Sequence, residues 1–115
     1  MDPRVERAQV LLCQIDDLRV RGAGEAAVLL RLREMAALHE ERGRELLSGN
    51  VPGGWTDLFA AITAWAEAGS RRRAEDLLSE GRQRAGRLHE GRENIEAELD
   101  DLERWLGSTS VPPPL

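Results

Sequence analysis

The chain carries two histidines, and both stand in the word Leu-His-Glu: ALHEERG at residues 37–43 and RLHEGRE at 87–93. Histidine next to carboxylates is the pairing from which zinc sites and acid–base centres are built, so His39 and His89 are the first candidates for chemistry. On a helix such a site needs its groups three or four residues apart, where they share a face. His89 has Glu93 one turn later, whereas His39 has Met35 before it and Gly43 after it, so the arrangement is not repeated. The Glu-x-x-His spacing of di-metal bundles is missing too, because Ala36 and Gly86 occupy the glutamate positions. Both histidines therefore read as polar positions on helix faces. No metal and no cofactor is expected.

Other catalytic patterns are equally thin. The loop Asn50-Val51-Pro52-Gly53-Gly54 lacks the lysine and the flanking strand of a phosphate-binding loop. Ser48, Ser70 and Ser79 have no histidine and acid that the sequence places beside them. The expectation is a chain that is not an enzyme.

The elements that must position any site are helices. With 41% hydrophobic and 32% charged residues over 115 positions, the composition is that of one globular domain, and it argues against disorder. All sixteen basic residues are arginine and there is no tyrosine, a bias read as the coding preference of a GC-rich bacterial genome. A net charge of −5 makes generic polyanion binding a poor first choice, so nucleic acid is an unlikely partner. No apolar run approaches the roughly 18 residues of a membrane span, and the charged start MDPRVERAQ does not resemble a signal peptide. A cytoplasmic location with no membrane contact is expected. Cys13, the single cysteine, lies in the apolar word VLLCQI and reads as a buried, inert thiol.

Four helices are predicted. The first covers 3–21, capped by Asp2 with Pro3 at its first position, and its stripe is Val5, Ala8, Leu12, Ile15 and Leu18. A second runs from about 24 to 47, packed at its apolar start and more exposed along HEERGREL. The third, WTDLFAAITAWAEAG at 55–69, is capped by Thr56 and almost uncharged, which marks it as the buried one. Ser70 then caps a fourth helix, read as continuous from 71 to 106. Leu78, Ala85, Leu99 and Leu106 fall on one heptad position and Ala74, Gly81, Leu88, Ile95 and Leu102 on the other, interrupted by Arg71 and Arg92 at seam positions. The tail 108–115, ending in three prolines before Leu115, reads as disordered.

A shift of 47 residues aligns Leu11 with Leu58, Ile15 with Ile62, Leu18 with Trp65, Gly22 with Gly69 and Ala27 with Ala74. The spacing from turn glycine to packed alanine resembles that of a tetratricopeptide hairpin. Ile15 and Ile62 stand where that family places small residues and its closing proline is absent, so the likeness is one of hairpin geometry and no family is assigned. The two histidines need a shift of 50 and fall outside this repeat.

Charge along the last helix is the most informative pattern. Arg71, Arg72, Arg73, Arg82, Arg84 and Arg87 crowd its first half, and Glu93, Glu96, Glu98, Asp100, Asp101 and Glu103 its second. Both blocks oppose the helix dipole. Antiparallel pairing with a second copy would set basic half against acidic half. The expectation is thus an all-α, four-helix bundle-like arrangement of two helical hairpins over 1–107, with a long, coiled-coil-like last helix. Its expected role is a protein–protein interaction module, adaptor or chaperone-like, forming a homodimer through Ala74, Leu78, Leu88, Ile95, Leu99 and Leu102. The alternative is a nucleic-acid-associated regulator that uses Arg71, Arg72 and Arg73 to hold an anion.

Overall fold

The computed structural model describes residues 2–108, so the proline-rich tail predicted at 108–115 lies, apart from Ser108, outside the described residues. The fold is all-helical, with five helices: α1 (Pro3–Val20), α2 (Glu25–Ser48), α3 (Gly54–Glu67), α4 (Arg71–Ala85) and α5 (Arg92–Ser108). The Cα trace measures 46 × 35 × 18 Å. Each helix packs on its neighbours in sequence, α3 also meets α5, and α1 packs chiefly on α2, touching α3 through the Arg19–Glu67 ion pair at 3.6 Å.

The α1 start is as expected: the Asp2 carboxylate accepts the Arg4 backbone N–H at 2.9 Å, and Pro3 opens the helix. Its buried stripe is Ala8, Leu11 and Ile15, one residue out of step with the predicted Leu12, which is 50% exposed. Cys13 is likewise exposed and not buried. Packed chiefly on α2, α1 covers only a narrow stripe, and Cys13 lies about 200° around from Leu11.

The 47-residue repeat is real at its turns. Gly22 and Gly69 both adopt positive φ, +67° and +81°, a conformation that costs glycine nothing. Ala23 N–H donates to Leu18 C=O at 3.0 Å, and the equivalent Ser70 N–H donates to Trp65 C=O at 2.9 Å. Gly22 to Arg19 and Gly69 to Ala66 complete the same double closure, the Schellman pattern that ends a helix on left-handed glycine.

The helix α3 is the centre of the core, with Leu58, Ala61, Ile62 and Ala66 wholly buried. Its start differs from expectation. Gly53 and not Thr56 precedes the helix, and no side chain caps it, because Val51 and Pro52 carbonyls take the Gly54 and Trp55 N–H groups. The later half of α2, predicted to be more exposed and with Gly43 as its one buried residue, still brings its backbone close to α3. A Cβ on Gly54 would lie 2.9 Å from the Gly43 carbonyl oxygen, and one on Gly43 would lie 3.0 Å from the Leu58 nitrogen. Backbone meets backbone there, and only glycine fits.

The largest departure concerns the predicted helix 71–106. It breaks after Ala85, turns over 86–91 through Gly91 at φ +71°, and returns as α5 against α4 and α3. One of the two heptad series, Ala74, Gly81, Leu88, Ile95 and Leu102, keeps its phase through this turn while Arg92 interrupts the other, which is why periodicity did not reveal it. The fold thus has five helices in place of four, and the antiparallel pairing that the charge blocks call for is made inside one chain. Arg82 reaches Asp100 and Glu103, both at 3.0 Å.

Candidate functional site

Two polar assemblies stand out, one at the α2–α3 contact and one around an open groove. At the first, His39 and Arg42 lie one turn apart on α2 and converge on Asp57 in the first turn of α3. His39 Nδ1 is 3.0 Å from Asp57 Oδ1, and Arg42 Nη1 donates to Oδ2. A carboxylate only accepts, so Nδ1 carries the proton of that bond. Asp57 is 6% exposed and is the one buried charged residue among those described. Arg42 Nε extends the chain of contacts to Asp2 at 3.2 Å, and Arg4 ties Asp2 to Glu45 at 2.7 Å. The Arg4 guanidinium holds the Asp2 carboxyl down at about 2. The network joins the starts of α1 and α3 to the end of α2.

A histidine oriented by aspartate is half of an acid–base centre, but here the same carboxylate also accepts from Arg42 and ties the helices together. Among the described residues no group of three or more His, Cys, Asp or Glu could hold a metal ion. The assembly works as a clamp on three helices. His89, by contrast, is exposed in the α4–α5 turn, so the two Leu-His-Glu words have different fates.

The second assembly begins at Trp65, whose Nε1 donates to Glu40 at 3.1 Å. Glu40 accepts from Arg44, and Arg44 also reaches Glu80 at 2.8 Å, which Arg84 contacts at 3.3 Å. Arg44 chiefly, with Arg84, holds the Glu80 carboxyl below its ordinary range. These pairs brace one wall of a groove of about 940 Å³ between the α2–α3 loop and the α4–α5 turn. Its apolar surface comes from Leu47, Val51, Pro52, Trp55, Leu88 and Ile95. Gln83, Arg87, Asn50 and Asn94 stand on the polar rim, and among the described residues their side chains make no hydrogen bond or ion pair. Val51 is 44% exposed, so apolar surface is open to a visitor.

The residues singled out from sequence are dispersed. Leu88 and Ile95 line the groove. Ala74, Leu78 and Leu99 are buried in the chain's own core, and Leu102 packs against it half-buried, so the predicted seam is occupied within the molecule. Arg71 pairs with Glu75 at 2.9 Å, and Arg73 lies over the Trp65 ring at 4.6 Å from its centroid, while Arg72 is exposed. Arg71, Leu78, Arg82 and Leu106 share a smaller cleft of about 450 Å³. The run Arg71–Arg73 does not converge on one point. Val51, Pro52 and Trp55 were missed as site residues; their signal was the Pro-Gly-Gly loop beside the first tryptophan.

No helix among the described residues is long and apolar enough to cross a membrane. No protein-family model, no curated protein and no solved structure matches this chain.

Proposed function

We propose that this chain is a non-catalytic helical interaction module, adaptor-like or chaperone-like, that receives a short segment of a partner protein in the groove between the α2–α3 loop and the α4–α5 turn. The observation that carries this reading is the combination of exposed Val51 with the apolar Leu47, Leu88 and Ile95, rimmed by Arg87, Gln83 and Asn94. An apolar trough with a few uncommitted polar groups suits a peptide whose apolar side chains enter it and whose backbone or carboxylate meets the rim. The braced Glu80–Arg84 wall keeps the trough in shape before the partner arrives, which lowers the ordering cost of binding.

Selection from a random peptide library displayed on phage tests this. Enriched peptides should combine apolar residues with an acidic one, and should lose binding to Leu88→Arg. Absence of enrichment, or binding indifferent to Leu88→Arg, would reject the groove as the interaction site.

A further inference from the structure

We infer that α5 exchanges between two copies of this chain: the turn at 86–91 can straighten, fusing α4 and α5 into one helix that pairs antiparallel with the same helix of a second copy. This inference stands apart from the peptide groove and rests on four observations about the α4–α5 hairpin.

First, the seven-residue repeat does not stop at the turn. Ala74 and Gly81 of α4 are followed in phase by Leu88 within the turn and by Ile95 and Leu102 of α5. Two helices joined by an arbitrary turn have no reason to share a phase; a continuous helix does. Second, the turn holds no proline, and Gly86 already has helical angles, φ −60° and ψ −18°. Gly91, at φ +71°, is the one turn residue in left-handed conformation. Third, among the helices α5 packs only on α3 and α4, so it can leave and be replaced without disturbing α1 or α2. Fourth, the contacts that hold α5 are those an antiparallel partner would remake. Leu99 and Leu106 enter the core, and Arg82 binds Asp100 and Glu103. In the exchanged dimer the same pairs form between chains, with the basic half of each helix against the acidic half of the other. Domain swapping of this kind conserves the interface and changes only the hinge. Gly91 in the hinge keeps the closed form favoured, since glycine adopts positive φ freely and weakens a helix interior relative to alanine.

The test uses Gly86→Ala/Gly91→Ala. Alanine at 91 favours the straight helix and is strained at φ +71° in the closed turn, while at 86, where the angles are helical already, it suits both forms. The double variant should raise the dimer association constant on the order of a hundredfold, read by light scattering after size exclusion. Swapping is distinguished from simple docking by Cys13→Ser/Arg82→Cys/Glu103→Cys in that background, treated with a short bis-maleimide. Cross-links between chains are expected, whereas a folded monomer, or a dimer with cross-links only within chains, overturns the inference. Should the glycine variant lose its helical circular dichroism, the cysteine pair in the otherwise native chain decides. Warmed at high concentration to just below its melting temperature and cooled, it should yield dimer linked between chains; monomer alone overturns the inference. His89→Pro, which bars a continuous helix, should abolish the dimer in either case.

Discussion

His39 Nδ1 faces Asp57 Oδ1 at 3.0 Å across the α2–α3 interface, eighteen residues apart in sequence. Arg42 takes the other oxygen of the same carboxylate, so a single buried anion satisfies two cations or donors of α2. Removing that anion leaves Arg42 half-buried opposite nothing but Asp2.

Asp57→Ala should therefore destabilise the fold by about 2–4 kcal/mol, below the fully buried range because Arg42 keeps partial contact with water. His39→Ala, which removes one hydrogen bond, should cost about 1 kcal/mol. Urea denaturation followed by circular dichroism separates the two; equal losses would show that Arg42 contributes little.

The glycine contact nearby makes a sharper prediction. Gly54→Ala places a Cβ at 2.9 Å from the Gly43 oxygen, Leu46 Cβ and Leu47 Cγ, so α2 and α3 must move apart. A loss of about 1–3 kcal/mol is expected. Gly81→Ala meets only side-chain ends, Leu99 Cδ2 at 3.1 Å and Leu58 Cδ2 at 3.4 Å, which can shift by tenths of an ångström. Its helix-propensity gain of about 1 kcal/mol should offset most of that strain. Thermal melting of the two variants should thus differ in size, with Gly54→Ala the lower.

Much of this architecture could be read from residues alone. Asp2-Pro3 announces a helix start, and Gly22 and Gly69 announce turns, because both are local chemistry with few alternatives. The uncharged stretch around Leu58 and Ile62 could only be a core helix. The break before Gly91 was hidden because the heptad phase crosses it, and periodicity senses phase and not direction. The phase error in α1, Leu12 for Leu11, and the misplaced Cys13 share another cause. Both stripes are apolar, and only the position of α2 against α1 decides which is covered. The partner of His39 was illegible for a related reason, since Asp57 looked like an ordinary first-turn acid.

Acid should loosen the molecule in a defined direction. Asp2 titrates at about 2 when folded, against an ordinary 3.8, and the Glu34 and Glu80 carboxyls are held below theirs by Arg7 and Arg44. Groups whose folded values are depressed stabilise fully above their ordinary values, and that stability is lost as pH falls through the folded ones. The melting temperature should fall as pH drops from about 5 to 2, and Asp2→Asn should flatten the lowest part of that curve. A profile unchanged by Asp2→Asn would show that its ion pairs with Arg4 and Arg42 are inert.

The groove can be challenged without disturbing the core. Val51→Glu replaces a loop side chain that is 44% exposed, so stability should change by no more than about 0.5 kcal/mol. Binding of any peptide selected against the native chain should nevertheless weaken at least tenfold, measured by calorimetry. Full affinity in this variant would move the contact away from the loop.

The narrow buried stripe of α1 has a consequence for how the molecule comes apart. A helix held along one narrow stripe, with Val10 and Leu12 facing water, is anchored more weakly than α3, where Leu58, Ala61, Ile62 and Ala66 are wholly buried. Its amides should exchange with deuterium through openings smaller than global unfolding, while those around Leu58 and Ile62 wait for the whole chain to open. The molecule should thus unravel in a graded order from its edges, α1 and α5, toward α3, with the Arg4 and Arg42 contacts to Asp2 as the latch that delays the step at α1.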